Sequence, residues 1–321
     1  MRRILVTGAT GFVGRSVCHV LAREGFTVRA ALHVPRPLPE HAKEGIVVGD
    51  ISESTDWSRA LDGVDAVVHL AAKAHVMAAS AAADEYTLTN ALGTRGLIRS
   101  AVTAGVRRFI YLSSVKVNGE GLANRPYTAL DPANPRDTYA MSKWLGERHV
   151  MEVEAGSPPD RVIVRTPLVY GPGVRANFLR LLRWVEAGWP IPLGAIHNAR
   201  SMTGSWNLAH MLAHVVHHGS AAGSTWLVSD GHDLSTPELI MRIAAAMGRR
   251  PRLLPVPVPL LRLGGQLFGR RDEIARLCDS LTVDISETRE RLAWSPALSV
   301  DEGIHRTVRW YMSERRASGR S

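Results

Sequence analysis

Tyr139-Ala140-Met141-Ser142-Lys143 sets a phenol and an ammonium four positions apart, on one face if the segment is helical. A lysine beside a tyrosine favours the phenolate, so the spacing predicts a Tyr139 pKa below the usual ~10. Such a group can move a hydroxyl proton near neutral pH. Upstream, Ser113-Ser114 closes a β-rich run, where a serine hydroxyl can share a hydrogen bond with the same substrate oxygen. Tyr-x-x-x-Lys alone also describes an ordinary surface helix pair. Its weight comes from what precedes it in the chain.

That is the glycine segment Thr7-Gly8-Ala9-Thr10-Gly11-Phe12-Val13-Gly14. It follows an apolar run, Arg3–Thr7, that reads as a strand, and it opens a stretch, Val13–Glu24, that reads as a helix stopping at Gly25. In that setting Gly8 permits a tight turn, Gly11 lets a pyrophosphate approach the backbone, and Gly14 allows the helix to pack closely on the strand. The second strand, Thr27–Leu32, runs into His33 without the Asp or Glu that commonly binds an adenosine 2′-hydroxyl. Arg29, His33 and Arg36 are nearby, so the sequence admits NADP(H) as readily as NAD(H).

Further strands are expected at Gly45–Val48, Ala66–Leu70 and Phe109–Ser113, with helical pattern near Glu85–Ala104. Strands alternating with helices predict an α/β chain: a Rossmann doubly wound parallel sheet with ligands at the carboxyl ends of its strands. From about Arg165 the texture becomes richer in Pro, Gly and Trp. The expected division is 1–165 for dinucleotide binding and 166–321 mainly for substrate, as a smaller interleaved domain whose segment near 225–230 returns to the sheet. Pro255-Val256-Pro257-Val258-Pro259 reads as rigid and extended rather than helical. Leu260–Phe268, followed by Arg270-Arg271, reads as a core segment, with a peripheral membrane contact as the alternative.

The 321 residues carry 39 Lys+Arg against 30 Asp+Glu, a net charge of +9, and apolar residues make up 45%. That composition excludes disorder as the main description. The arginines are dispersed and no nucleic-acid motif accompanies them, so the charge fits anionic small molecules better than nucleic acid. No apolar run suits a membrane span, the N-terminal run is short for a signal peptide, and two cysteines make no disulfide framework. A cytoplasmic protein without an integral membrane segment is expected. His210 and His214, with His217 and His218, read as structural histidines, and no metal site is expected.

Thr7-Gly8-x-x-Gly11-x-x-Gly14, His69-Leu70-Ala71-Ala72, Ser113-Ser114 and Tyr139-x-x-x-Lys143 together resemble the extended short-chain dehydrogenase/reductases, the nucleotide-sugar epimerases, dehydratases and reductases. The resemblance spans nearly the whole chain. It implies Ser114, Tyr139 and Lys143 as catalytic residues. It implies that Gly8, Gly11, Phe12, Val13, Gly14, His33, Arg36, Asp50, Ile51, Leu70, Ala71, Ala72, Asn90 and Pro167 surround the cofactor, along with Tyr139 and Lys143. For a UDP-sugar substrate it implies His75, Ser114, Asn177, Leu193 and Arg200, with Asn177 and Arg200 on the diphosphate and Leu193 by the uridine. Homodimers that pair the tyrosine-bearing helix are common among such proteins.

Departures from the family pattern narrow the reaction. Ser114-Val115-Lys116-Val117-Asn118 lacks the acidic pair of the dehydratases, and Asn118 stands where epimerases usually have tyrosine. The missing carboxylate that helps epimerases retain NAD tilts the reading toward a reductase, and residues 113–119 with 171–180 are most similar to the branch that reduces the 4-keto group of a UDP-2-acetamido-2,6-dideoxy-hexos-4-ulose. That reduction forms UDP-N-acetylquinovosamine for polysaccharide assembly. A UDP-hexose 4-epimerase is the alternative. A non-catalytic NADP(H)-binding sensor or scaffold has no need of the Ser–Tyr–Lys set.

Overall fold

The computed structural model describes residues 2–74, 84–121, 125–153 and 158–319. Apolar runs bounded by glycine turns form the central strands, as expected where both faces of a parallel sheet are covered. In chain order they are β1 (Arg3–Thr7), β2 (Thr27–Leu32), β3 (Glu44–Val47), β4 (Ala66–His69), β5 (Arg108–Ser114) and β6 (Asp160–Thr166). Helix α1 (Phe12–Arg23) follows β1, α2 (Ser58–Leu61) precedes β4, and α3 (Gly93–Thr103) is entered through a π-helical stretch, Thr87–Leu92. Helix α4 (Thr138–Met151) joins β5 to β6.

The second half supplies a small parallel pair, β7 (Leu168–Tyr170) with β8 (Met202–Gly204), and helices α5 (Ala176–Ala187) and α6 (Ser205–His217). Strand β9 (Ser224–Leu227) then pairs in parallel with β6. The large sheet has seven strands in the order β3-β2-β1-β4-β5-β6-β9. Its order reverses between β1 and β4, and the crevice at that switch point is where such sheets take ligands. Among the described residues five more helices follow: α7 (Thr236–Ala246), α8 (Val258–Leu267), α9 (Arg271–Cys278), α10 (Ser286–Leu292) and α11 (Val300–Ala317).

One face of the sheet buries Ile4, Val6, Val28 and Val164 against α1 and α6, with Trp226 and Leu227 of β9 in the same cluster. The other face buries Leu5, Val67, Phe109 and Tyr111 with Leu97 and Ile98 of α3. A third cluster, from the second half, gathers Tyr170, Phe178, Leu182, Ile240, Ile243, Ile304 and Val308.

Four expectations are corrected here. Arg29 does not reach the cofactor side, because its buried guanidinium pairs with Glu44 at 2.7 Å and donates to the carbonyls of Arg59, Ala60 and Asp62. Leu193 is 2% exposed within the third cluster, so its side chain is not available to a uridine. The proline run is extended only as far as Pro257. That residue caps α8, whose first turn accepts Pro259 because no intrahelical N–H is needed there. Finally, Leu260–Phe268 is not a core segment. Val258 and Leu261 pack inward, but Leu260, Leu263, Leu267 and Phe268 face outward.

Candidate active site

The glycine turn is built by close backbone contacts. Gly8 has φ +68°, and a Cβ there would lie 2.9 Å from the Ala71 amide nitrogen. A Cβ on Gly14 would sit 2.1 Å from the Gly8 carbonyl oxygen, so α1 reaches the loop only without one. Gly11 caps α1 without a side-chain hydrogen bond, and no acidic residue stands in the helix's first turn. The unsatisfied N–H groups and positive end of α1 therefore point into a cradle lined by glycine, which fits the pyrophosphate of a dinucleotide. Val13 packs inward on the sheet, and Phe12 packs toward the third cluster, beside Gly173.

A buried hydrogen-bond chain fixes the strand ends around this cradle. Thr7 Oγ1 accepts from the Leu70 and Ala71 amides at 3.1 Å each, which leaves its own proton for His69 Nδ1 at 2.7 Å. His69 must then donate through Nε2 to Thr94 Oγ1 at 3.0 Å, and Thr94 donates to the Asn90 carbonyl at 2.7 Å. Burial, and secondarily the charge of Lys143, push the His69 pKa down to about 3. The imidazole is neutral when folded and takes a proton near 6.5 when unfolded. As pH falls through this window the unfolded chain binds the extra proton, so stability drops. The expected loss is about 1.4 kcal/mol per pH unit from this group. Urea unfolding at pH 6 and pH 4 checks it: wild type should lose more stability than His69→Gln, and equal losses would refute it.

Asn90 was expected beside the cofactor. Its amide is instead spent on the protein: Oδ1 accepts from the Lys73 amide, and Nδ2 donates to the Lys73 carbonyl and to Ser142 Oγ. It clamps the segment after β4 to the tyrosine-bearing helix α4. Leu70 and Ala71 are half-buried and Ala72 is exposed at the same strand end. Ile51 is half-buried beneath Gly93, and Pro167 is buried between β6 and β7. His33 Nε2 lies 3.0 Å from the exposed Asp50 carboxylate, and Arg36 is exposed nearby in sequence. A carboxylate thus does stand at the end of β2, contributed by the loop after β3.

Ser114 ends β5 and accepts from the Lys116 amide at 3.2 Å, while Ser113 on the opposite face buries an Oγ without a partner among the described residues. Asp137 caps α4 by accepting from the Ala140 amide at 2.6 Å. Lys116 holds that carboxylate at 2.6 Å and also pairs with Glu120. In the first turn of α4, Tyr139 is half-buried and stacks edge-on against Tyr86, with ring centroids 5.9 Å apart. Lys143 is 2% exposed, and its ammonium lies 4.1 Å from the centre of the Tyr111 ring.

The expected lowering of the Tyr139 pKa is not what this structure holds. Burial raises it to about 12, and the negative charge of Asp137 adds to the rise. Lys143 moves down to about 7, again through burial, with Glu147 pulling the other way. Burial penalises the charged form of each group, the phenolate of Tyr139 and the ammonium of Lys143. Glu147, one turn beyond Lys143, is itself held by Arg165 in a buried bidentate pair at 2.6 and 2.9 Å. Arg165 also donates to Asn118 Oδ1, so the residue in the place of the epimerase tyrosine is a buried bracket.

Asn177 is exposed at the start of α5 and accepts from Arg180. Arg200 uses Nη1 on the carbonyls of Arg276 and Asp279. No other atom of its guanidinium has a hydrogen bond among the described residues, so one edge is left for an anion. His75 lies outside the described residues.

Sequence reasoning missed Thr7, His69 and Thr94, whose linkage appears only once β1, β4 and α3 are adjacent. It also missed Asp137 and Glu147. The first could have been found as a helix cap before Tyr139, and the second as the residue one turn past Lys143 on the same face.

Residues 4–224 match the model of the NAD dependent epimerase/dehydratase family. The chain is 40% identical over 322 residues to a UDP-glucose 4-epimerase of Vibrio cholerae, covering 97% of this chain and 96% of that protein. It is 27% identical, over 83% of its own length and 78% of the relative's, to an N-acetyl-alpha-D-glucosaminyl-diphospho-ditrans,octacis-undecaprenol 4-epimerase of Escherichia coli O157:H7. Among solved structures, MoeE5 in complex with UDP-glucose and NAD superimposes with a TM-score of 0.78 at 25% identity, covering 97% of this chain and 99% of that one. With a glycine turn after β1, Ser114 at the end of β5 and Tyr139 and Lys143 on α4, the chain belongs to the NAD dependent epimerase/dehydratase family and has the extended short-chain dehydrogenase/reductase fold.

Proposed function

We propose that this protein is a UDP-hexose 4-epimerase. The observation that carries the reading is 40% identity along 97% of the chain to a UDP-glucose 4-epimerase, in a chain that keeps Ser114 at the end of β5 and Tyr139 and Lys143 one turn apart on α4. The preference for a 4-ketoreductase rested on a missing carboxylate at the end of β2. Asp50, 3.0 Å from His33, weakens that argument.

Gly8, Gly11 and Gly14 and the N-terminus of α1 would hold NAD, which when bound would supply the hydride acceptor for sugar carbon 4. Tyr139 Oη takes the carbon-4 hydroxyl proton in the first half and gives it back in the second. Ser114 Oγ hydrogen-bonds the same oxygen. Lys143 supplies the positive charge that offsets the buried phenolate when Tyr139 is deprotonated. Asn177 and the unengaged edge of Arg200 hold the diphosphate, a geometry suited to guanidinium.

Incubation of the purified protein with UDP-glucose or UDP-N-acetylglucosamine, without added cofactor, should give the galactose epimer, resolved by anion-exchange chromatography. Absence of interconversion, together with NADPH consumption on a UDP-2-acetamido-2,6-dideoxy-4-hexulose, would replace this reading with the reductase.

A further inference from the structure

Between Arg249 and Arg271 the chain carries six arginines (Arg249, Arg250, Arg252, Arg262, Arg270 and Arg271) and no acidic residue. All six are exposed; Arg262 pairs with Asp279 at 2.8 Å and Arg270 with Glu273 at 3.8 Å, and the other four have no ion pair among the described residues. In the middle of this stretch lies α8, with Leu260, Leu263 and Leu267 one helical turn apart on its outer side. They are 58%, 52% and 75% exposed, and Phe268 at the tip is 81% exposed. Its inner side packs Val258 and Leu261 on the third cluster, and Gly265 lies so close to Ile274 of α9 that a Cβ would come within 2.7 Å. The outward face is thus held rigidly by a packed inner face and is not a frayed segment.

We propose that the α8–α9 hairpin seats this protein on an anionic lipid surface, with Leu260, Leu263, Leu267 and Phe268 entering the headgroup boundary and the arginines at the level of the phosphates. The chemistry is that of an interfacial helix: an apolar strip flanked by cations, too short to span. No described helix is long and apolar enough to cross a membrane. Charge decides between occupants. A twofold contact with a second copy would lay the arginine rim against itself, and like charges at a contact are costly. A bilayer bearing phosphatidylglycerol complements both the strip and the rim.

The hairpin is also tied to the cleft. Arg180, which holds Asn177, pairs with Glu273 of α9 at 3.3 Å, and Arg200 donates to the Arg276 and Asp279 carbonyls at 2.8 and 2.9 Å. Docking would therefore bring the sugar-diphosphate residues beside the membrane surface. The proposal does not depend on which sugar is turned over.

The test is co-sedimentation of the full chain with vesicles of phosphatidylcholine alone or mixed with phosphatidylglycerol. Binding to the mixed vesicles only is expected. Arg270→Glu/Arg271→Glu should weaken it by more than about tenfold, since each arginine near an anionic surface contributes about fivefold. Leu267→Ser/Phe268→Ser keeps every charge and should weaken it by a similar factor. Both variants change exposed side chains outside the catalytic set and should keep wild-type Tm and activity in solution. Phe268→Trp should shift its emission to the blue on mixed vesicles. Failure of the wild type to bind, or undiminished binding of the serine variant, would overturn the proposal, the latter showing adsorption by charge alone. So would a dimer in sedimentation velocity that the serine variant converts to monomer, which would assign the face to a second copy.

Discussion

Tyr139→Phe is expected to lower kcat by about 10³-fold or more while leaving the fold and UDP binding unchanged. The phenol oxygen has no hydrogen-bond partner among the described residues, and the ring's edge-on contact with Tyr86 survives in phenylalanine. Removing the oxygen therefore costs the folded state little. In the proposed mechanism it removes the group that exchanges a proton with the carbon-4 oxygen. Steady-state kinetics, Tm and UDP titration together check the prediction. Retention of more than about a tenth of wild-type kcat would show that proton transfer does not pass through Tyr139. With Tyr139 pushed up to about 12 and Lys143 down to about 7, rising pH favours the phenolate but strips Lys143 of its charge, so kcat should pass through a maximum rather than rise steadily.

Gly14→Ala should have the largest effect on stability. The added methyl would meet the Gly8 carbonyl oxygen at 2.1 Å and the Ala9 Cα at 2.7 Å, both backbone atoms that cannot rotate away. Either α1 lifts from the sheet or the turn deforms. Overpacking against backbone puts the cost at about 3 kcal/mol or more. Because the turn is the NAD cradle, copurified NAD should vanish with it. Gly264→Ala is the control. It lies in α8 with no neighbour within 4 Å of the new methyl, and it should be neutral or gain up to about 1 kcal/mol from helix propensity. Urea unfolding of the two variants separates the cases, and equal stability would mean that the close approach of α1 is not what holds the cradle.

What was legible in the sequence is the part where local rules and tertiary packing agree. Gly8 and Gly14 announce their turn because only glycine fits its contacts, and apolar runs such as Ala66–His69 announce strands buried on both faces. Tyr139 and Lys143 were legible because helical spacing alone brings them to one face. Other features depended on partners far along the chain. Arg29 looks like a cofactor ligand until Glu44 and three carbonyls are seen to enclose it. Leu193 matches a family position, but packing draws its side chain into the core. Leu260–Phe268 carries one broad apolar arc, and periodicity does not tell which part of that arc another element covers. The direction of the Tyr139 shift failed for a related reason, since spacing shows a neighbouring charge but not the loss of water around both groups.

Strand β9 extends the sheet beyond β6, and α6 lies along α1, so residues from past position 200 complete the layer begun at residue 3. The chain therefore cannot be cut into two self-sufficient pieces at the end of β6. A fragment stopping there would leave β6 as a raw edge and strip Trp226 and Leu212 from the cluster that covers Val164. Two such halves made separately should be insoluble alone and recover one shared, all-or-none melting transition when refolded together.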